Sequence, residues 1–294
     1  MSIELLASYK QVIERHCADV VIDDVHLMES GQNNIVLIVH DAFVFRFARY
    51  MTSIDTLRKE VEILRYIQPF LTTAIPQPGF VHLDDSNIGE SFVGYPFIAG
   101  KPLGRADFDT IDMPDVLDTL AHQLAVFLYE LHSVSINAGP LAGFPIRGTM
   151  DQWRQMYQKV QNQLFVYMRP DAREHVQWHF AQFLEQNQLL PFIPVLRHGD
   201  FGLGNILYDS TTYRVTGVVD FGSAGLGDPA TDLAGVLAGC GKSFLQQVLH
   251  YYPEARAMLG RIHFYCGTFA LQEALFGLEN DDQAAFTDGM ADYI

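Results

Sequence analysis

The segment His198-Gly199-Asp200-Phe201-Gly202-Leu203-Gly204-Asn205 is followed, after a short apolar stretch, by Asp220-Phe221-Gly222. Together they supply one carboxylate, one amide and a second carboxylate. Phosphoryl transfer from a nucleotide needs such a set: a base that orients a hydroxyl, and two oxygen ligands for Mg²⁺. Ile206-Leu207-Tyr208 and Val215 to Val219 read as short strands, with Asp209 to Tyr213 as the turn between them. A hairpin there returns the chain so that Asn205 and Asp220 can share a metal, with Asp200 nearer an acceptor hydroxyl. Mg²⁺ prefers hard oxygen donors and keeps water or phosphate oxygens in its shell, which an Asn and an Asp suit. Gly199, Gly202 and Gly204 let the loop turn tightly beside phosphate. Either tripeptide alone is explained by the turn preference of Gly and Asp. Their order and spacing around a hairpin favour the chemical reading.

Other elements must position these groups. Ile3 to His16 has helical apolar spacing with Ser2 as a cap, and strands are expected around Val20–Met28, Ile35–His40 and Phe43–Ala48. The turn-rich stretch Ser30-Gly31-Gln32-Asn33-Asn34 is either a plain hairpin turn or a loop over a nucleotide. Phe43, Phe45 and Phe47 alternate with Val44, Arg46 and Ala48, so Arg46 projects from the face opposite the phenylalanines. A helix capped by Ser53 runs to about Gln68, where Pro69 ends it; it carries Glu60 and Glu62. Gly79–Leu83 and Ser91–Phe97 complete the strands of this half.

From Pro114 the chain is mostly helical. Helices are expected at Val116–His132, within Met150–Arg169 and Ala172–Asn187, and around Pro229–Cys240, Ser243–His250, Glu254–Tyr265 and Thr268–Glu279, with a last one from about Asp281. Trp153 and Trp178 read as packing residues, although Trp153 or Tyr157 can instead flank a substrate.

The pattern H-x-D-x-x-x-x-N…D-F-G resembles that of the aminoglycoside phosphotransferases, relatives of the protein kinases. Gly227-Asp228-Pro229-Ala230-Thr231-Asp232-Leu233 extends the likeness, and Gly277 and Gly289 are similar to the 2''-phosphotransferase branch. The resemblance implies an α+β, two-lobed, protein-kinase-like fold: an N-terminal antiparallel sheet plus helices over residues 1–97, and a mainly helical lobe over 98–294. It implies Asp200 as catalytic base, Asn205 and Asp220 as Mg²⁺ ligands, and a structural Asp232. His198 is then a loop-organising residue. Ser30 and Gly31 lie where the nucleotide loop belongs, and Tyr95, Phe97 and Ile98 lie in a segment similar to the family's hinge for the purine. Arg46 stands where the family carries a phosphate-binding Lys, with Glu60 as its helix partner. An arginine holds phosphate through a planar fork and is not equivalent to Lys. Ser223 is a second departure, because relatives often place an Asp directly after the D-F-G. Glu273, Glu279 and Asp282 form an acidic group suited to the ammonium groups of an acceptor, and solvated helix ends explain them equally well.

The function implied is transfer of the γ-phosphate of ATP or GTP to a hydroxyl of a small cationic acceptor, foremost an aminoglycoside. A macrolide, choline, homoserine, methylthioribose or a glycated amine keeps the same mechanism, and a nucleotide-binding pseudokinase is the non-enzymatic alternative. Composition sets the bounds. The chain has 294 residues, 49% of them hydrophobic, enough for two lobes. A net charge of −16 argues against nucleic-acid or anionic-membrane partners. There is no membrane-span-length apolar run and no signal-peptide pattern, and the three cysteines lack metal-ligand spacing. A cytoplasmic monomer or dimer is the expectation.

Overall fold

The computed structural model describes residues 3–18, 20–28, 34–186 and 192–294. In chain order the first elements are α1 (Ile3–His16), β1 (Val25–Met28), β2 (Asn34–Val39), β3 (Phe43–Ala48), α2 (Met51–Ile67), β4 (Phe80–His82), β5 (Phe92–Pro96) and β6 (Lys101–Pro102). Then come α3 (Arg105–Asp109), α4 (Pro114–His132), α5 (Met150–Lys159), α6 (Pro170–Gln186), β7 (Val195–Arg197), β8 (Ile206–Asp209), β9 (Arg214–Val218) and β10 (Gly225–Gly227). The chain closes with α7 (Ala230–Tyr251), α8 (Leu259–Glu279) and α9 (Gln283–Met290). The elements fall into two compact units, neither continuous in sequence. One comprises Met1–Gly104, Ala138–Ala142 and Gly204–Ala224; the other comprises Arg105–Asn137, Gly143–Leu203 and Gly225–Ile294.

The first unit is built on an antiparallel sheet in the order β1-β2-β3-β5-β4. Alternation along β3 sorts its side chains. Phe45 and Phe47 join Leu37, Val39 and Phe92 beneath Tyr9, Val12 and Ile13 of α1. On the other face Val44 and Ala48 pack with Val93, Tyr95 and α2 residues Ile54, Leu57 and Val61. Arg46 shares that second face and is buried. An unpaired guanidinium there costs several kcal/mol, so the fold must supply it with anions.

Two boundaries differ from expectation in this unit. β1 begins at Val25, because Val20 and Ile22 are drawn into the core beside α1 instead of pairing. α2 begins at Met51 with Tyr50 at its cap position and no capping side chain; Ser53, expected as the cap, lies inside the helix and is buried. Ser2, Ser30 and Gly31 fall outside the described residues. A second small sheet orders β6-β8-β9. Its hairpin pairs Ile206 with Val218 and Leu207 with Gly217.

The second unit is mainly helical, with a short antiparallel β7–β10 pair that the sequence reading did not contain. The expected helices Pro229–Cys240 and Ser243–His250 form one element, α7, kinked at Gly241, whose φ of 81° is left-handed. Residues 253–258 are a 3₁₀ stretch, after which α8 runs unbroken to Glu279 through the expected break near Gly267. That glycine serves packing: a Cβ on it would lie 2.7 Å from Cε1 of His179. α5 lies within the expected Met150–Arg169 span and passes after Lys159 into a π-helical turn over Val160–Leu164. Trp178, expected to pack, is 60% exposed. Among the described residues no helix is long and apolar enough to cross a membrane.

Candidate active site

In the first unit the hairpin sets the site. Pairing of Ile206 with Val218 brings the two strand ends together, and the N–H of Val219 donates to the carbonyl of Asn205 at 2.9 Å. Asn205 and Asp220 therefore flank the same end of one ladder. Asp220 has left-handed backbone, φ 63° and ψ 68°, immediately before the 3₁₀ turn Phe221–Ser223. A non-glycine residue there is uncommon and strained. Its side chain is half exposed.

Arg46 ties this end to the sheet and to α2. Its Nη1 donates to Oε1 of Glu60 at 2.5 Å, and its Nη2 donates to Oδ1 of Asp220 at 3.0 Å. The same Glu60 oxygen accepts the N–H of Phe221 at 3.2 Å. One buried carboxylate thus orients both the arginine and the turn that presents Asp220. Glu62, the other helix carboxylate considered from sequence, is exposed. Burial raises the Glu60 carboxyl, against the opposing charge of Arg46. Arg46 is itself destabilised as a cation by burial, but Glu60, Tyr95 and Asp220 more than compensate and raise it. One guanidinium facing two carboxylates leaves the cluster formally negative, and its outermost oxygens can accept a further cation.

Around the expected hinge, Tyr95, Phe97 and Ile98 each have partners within the first unit. Tyr95 lies within β5, paired with Val44. Its ring is buried and its hydroxyl, hydrogen-bonded to Arg46, is pushed up to about 12, chiefly by burial. Its hydroxyl contributes to the Arg46 network. The N–H of Phe97 already donates to the carbonyl of Ala42 at 2.8 Å and is not available to a base. Ile98 packs over Gly217, where a Cβ would meet its Cγ2 at 2.7 Å.

In the second unit the loop carrying Asp200 is fixed from behind. The fully buried Asp232 accepts the N–H of His198 and of Gly199, each at 2.8 Å. His132 Nε2 lies 3.1 Å from Oδ2 of Asp232, and its Nδ1 lies 3.3 Å from the hydroxyl of Tyr252. Burial alone would raise Asp232; the hydrogen bond and charge of His132, with His198 and Arg197, hold it below the usual carboxylate range. The buried His198 accepts the N–H of Asp200 on Nδ1 at 3.3 Å, so it organises the loop. Asp200 itself is exposed. α7 presses on the same loop, because Gly235 would place a Cβ 2.2 Å from the carbonyl oxygen of Phe201. Sequence reasoning missed His132 and Tyr252, since nothing local marks partners separated by 100 and 120 residues. Asp228 was also unassigned; it receives Arg261 at 2.6 Å and the Tyr265 hydroxyl at 2.7 Å.

The geometry fits phosphoryl transfer, and comparison with known proteins decides the family. The model of the phosphotransferase enzyme family matches residues 24–264. The chain belongs to that family. Viomycin phosphotransferase of Streptomyces vinaceus, another phosphotransferase, is 27% identical over 98% of this chain and 99% of its own. A structure of APH(2'')-IIia with GDP and kanamycin superposes with a TM-score of 0.87 at 26% identity, covering 96% of both chains. The GDP complex of aminoglycoside 2'-phosphotransferase-IIIa gives 0.89 at 26%, covering 97% of this chain and 96% of that one. The fold is accordingly kinase-like, and the chain is a phosphotransferase enzyme.

The expected acceptor residues of the phosphotransferase are placed as follows. Glu273 is exposed on α8. Glu279 pairs with Lys159 at 2.7 Å. Asp282 caps α9, accepting the N–H groups of Ala284 and Ala285 at 3.1 Å each. Gly277 and Gly289 let α8 and α9 approach closely: a Cβ on Gly289 would lie 2.5 Å from the Ala270 carbonyl oxygen, and one on Gly277 would lie 2.4 Å from the Phe286 nitrogen. Their role is packing. Trp153 stacks on Tyr265 at 5.2 Å, and Tyr157 stacks on Phe180 at 4.7 Å, so both half-buried rings pack against the helical core.

Proposed function

We propose that this phosphotransferase moves the γ-phosphate of ATP or GTP to a hydroxyl of a small cationic acceptor, with an aminoglycoside antibiotic as the leading substrate. The observation that carries the reading is the Arg46–Glu60–Asp220 cluster at the hairpin end that also holds Asn205. Its hard oxygens and residual negative charge suit Mg²⁺ better than a softer ion. Asn205 and Asp220 would hold it, and the bound ion would neutralise charge on the β- and γ-phosphates. Arg46, oriented by Glu60, grips the phosphates that are not transferred. Asp200 orients the acceptor hydroxyl for in-line attack and takes up its proton.

The GDP and kanamycin bound by the APH(2'')-IIia structure support the donor and acceptor classes. The net charge of −16 favours a cationic acceptor. Of the three acidic residues considered for the amines, Glu279 is engaged by Lys159 and Asp282 by the α9 N-terminus, while Glu273 is exposed on α8. A second reading has viomycin as the acceptor, favoured by the nearly full-length similarity to viomycin phosphotransferase. The reaction is placed in the cytoplasm, where nucleotide is available and the free thiols Cys17, Cys240 and Cys266 stay reduced.

A coupled ADP- and GDP-release assay, run with both nucleotides, tests this against a panel of aminoglycosides, viomycin, a macrolide, choline and homoserine. Turnover confined to aminoglycosides supports the first reading. Turnover confined to viomycin replaces it with the second. Nucleotide binding without turnover on any acceptor would leave a pseudokinase and sink both.

A further inference from the structure

On the first unit, well apart in sequence from the Arg46 cluster, three elements bring His16, His82 and Glu90 together. His16 ends α1, His82 ends β4, and Glu90 ends a 3₁₀ turn at 88–90. The imidazoles of His16 and His82 stack with centroids 3.8 Å apart. Nε2 of His16 lies 3.5 Å from Oε2 of Glu90. One ligand atom from each residue lies within 4.8 Å of the other two, and among the described residues no other group of this kind forms. None of the three takes part in the proposed phosphoryl transfer.

We propose that His16, His82 and Glu90 form a binding site for one divalent transition-metal ion of the zinc class. Two imidazole nitrogens and one carboxylate oxygen are a donor set that such ions accept, with water completing the shell. For tetrahedral zinc with bonds of about 2.1 Å, ligand atoms sit about 3.4 Å apart. The His16–Glu90 edge, 3.5 Å, already has that length. The remaining ligands close by rotation about the imidazole side-chain torsions, since His16 and His82 are only partly covered.

The surroundings favour the ion. Arg15 occupies the other Glu90 oxygen at 2.5 Å, which fixes the carboxylate and leaves Oε2 toward the imidazoles. The site sits at the C-terminal end of α1, where exposed carbonyls stabilise a cation. Asp84 adds negative charge close to His82. A metal bound here would tie α1 to the far edge of the sheet through residues distant in sequence, so occupancy should register as stability of this unit.

The test uses the full-length protein stripped with chelator and then titrated with Zn²⁺ by calorimetry, with Co²⁺ absorption as a reporter of coordination. One Zn²⁺ per chain is expected, with a melting temperature that rises with Zn²⁺ concentration and visible Co²⁺ bands of tetrahedral intensity. His82→Ala and Glu90→Gln should each weaken Zn²⁺ by more than about tenfold while phosphotransferase turnover stays as in wild type. Asp220→Asn should leave this Zn²⁺ site intact, which separates it from the nucleotide-linked metal. If wild-type protein shows neither stoichiometric Zn²⁺ nor Co²⁺ bands, or if His82→Ala binds with unchanged affinity and spectrum, the site does not exist. A stacked histidine pair that merely hydrogen-bonds Glu90 gives that negative result.

Discussion

Arg46 holds Asp220 directly, with Nη2 donating to Oδ1 at 3.0 Å, while its other terminal nitrogen is committed to Glu60. A lysine at this position has one ammonium and cannot fork between two carboxylates in a plane. The arginine proposed to grip phosphate is therefore also a clamp on the proposed metal ligand. Arg46→Lys should relax the hold on Asp220. The expected result is tighter Mn²⁺ binding in the absence of nucleotide, read by electron paramagnetic resonance, together with a changed KM for nucleotide. Identical metal and nucleotide binding would remove Arg46 from both roles.

Arg46→Ala asks a different question. It strands Glu60, which is 3% exposed, without its counterion. Leaving a buried charge unpaired costs about 3–5 kcal/mol, so the denaturation midpoint should fall steeply, and Arg46→Ala combined with Glu60→Gln should recover part of the loss. A double variant no more stable than Arg46→Ala would show that the pair does not set the stability of this face.

Asp200→Asn removes the carboxylate proposed to take the acceptor's proton while leaving the loop's backbone anchors to Asp232 in place. General-base loss costs typically about 10²–10⁴-fold in rate. Turnover should fall by that order, with nucleotide affinity measured by calorimetry unchanged within error. Retained turnover excludes Asp200 from the chemistry.

Asp232 couples that loop to pH. Its carboxyl is held below the usual range, because the hydrogen bond and charge of His132 and the charges of His198 and Arg197 outweigh burial. A depressed folded value means the stabilisation is fully present above the unfolded value of about 3.9 and is lost as pH falls through the lower folded one. Wild-type stability should therefore decline below the ordinary carboxylate range. Asp232→Asn should be less stable near neutrality by about 3 kcal/mol and show a flatter acid limb. Parallel acid limbs for the two proteins would refute the assignment.

Much of this arrangement was legible in the sequence because it rests on short-period patterns. Alternation in Phe43–Ala48 put Arg46 on the α2 face, and two apolar segments around Asp209–Tyr213 announced the hairpin that joins Asn205 to Val219. What was illegible depends on partners remote in the chain. Gly241 and Gly267 look alike as helix breakers, yet Gly241 adopts a left-handed φ, while Gly267 lies inside α8 and leaves room for His179. The three-residue strands β7 and β10 carry too little pattern to detect and exist through their mutual pairing. Glu279 and Asp282 have structural partners that the sequence did not reveal, Lys159 and the α9 N-terminus. At Tyr95 and Phe97 the sheet's own hydrogen bonds decide which backbone groups are already used.

Glycines give the sharpest test of how closely α7 supports the Asp200 loop. At Gly235 a Cβ would fall 2.2 Å from the Phe201 carbonyl oxygen and 2.9 Å from its carbon, both backbone atoms that cannot swing away. Gly235→Ala must displace the loop or the helix. Overpacking of this kind costs about 1–3 kcal/mol, and the displaced element carries Asp200, so turnover should fall more than nucleotide affinity. Gly260, near the start of α8, has nothing within 4 Å of its would-be Cβ and no left-handed φ. There Ala should be neutral or stabilising by up to about 1 kcal/mol, through the lost entropy of the unfolded chain. Urea denaturation and steady-state kinetics on the two variants check both expectations. Equal stability changes at the two positions, or full activity in Gly235→Ala, would mean that contact with α7 does not position the catalytic loop.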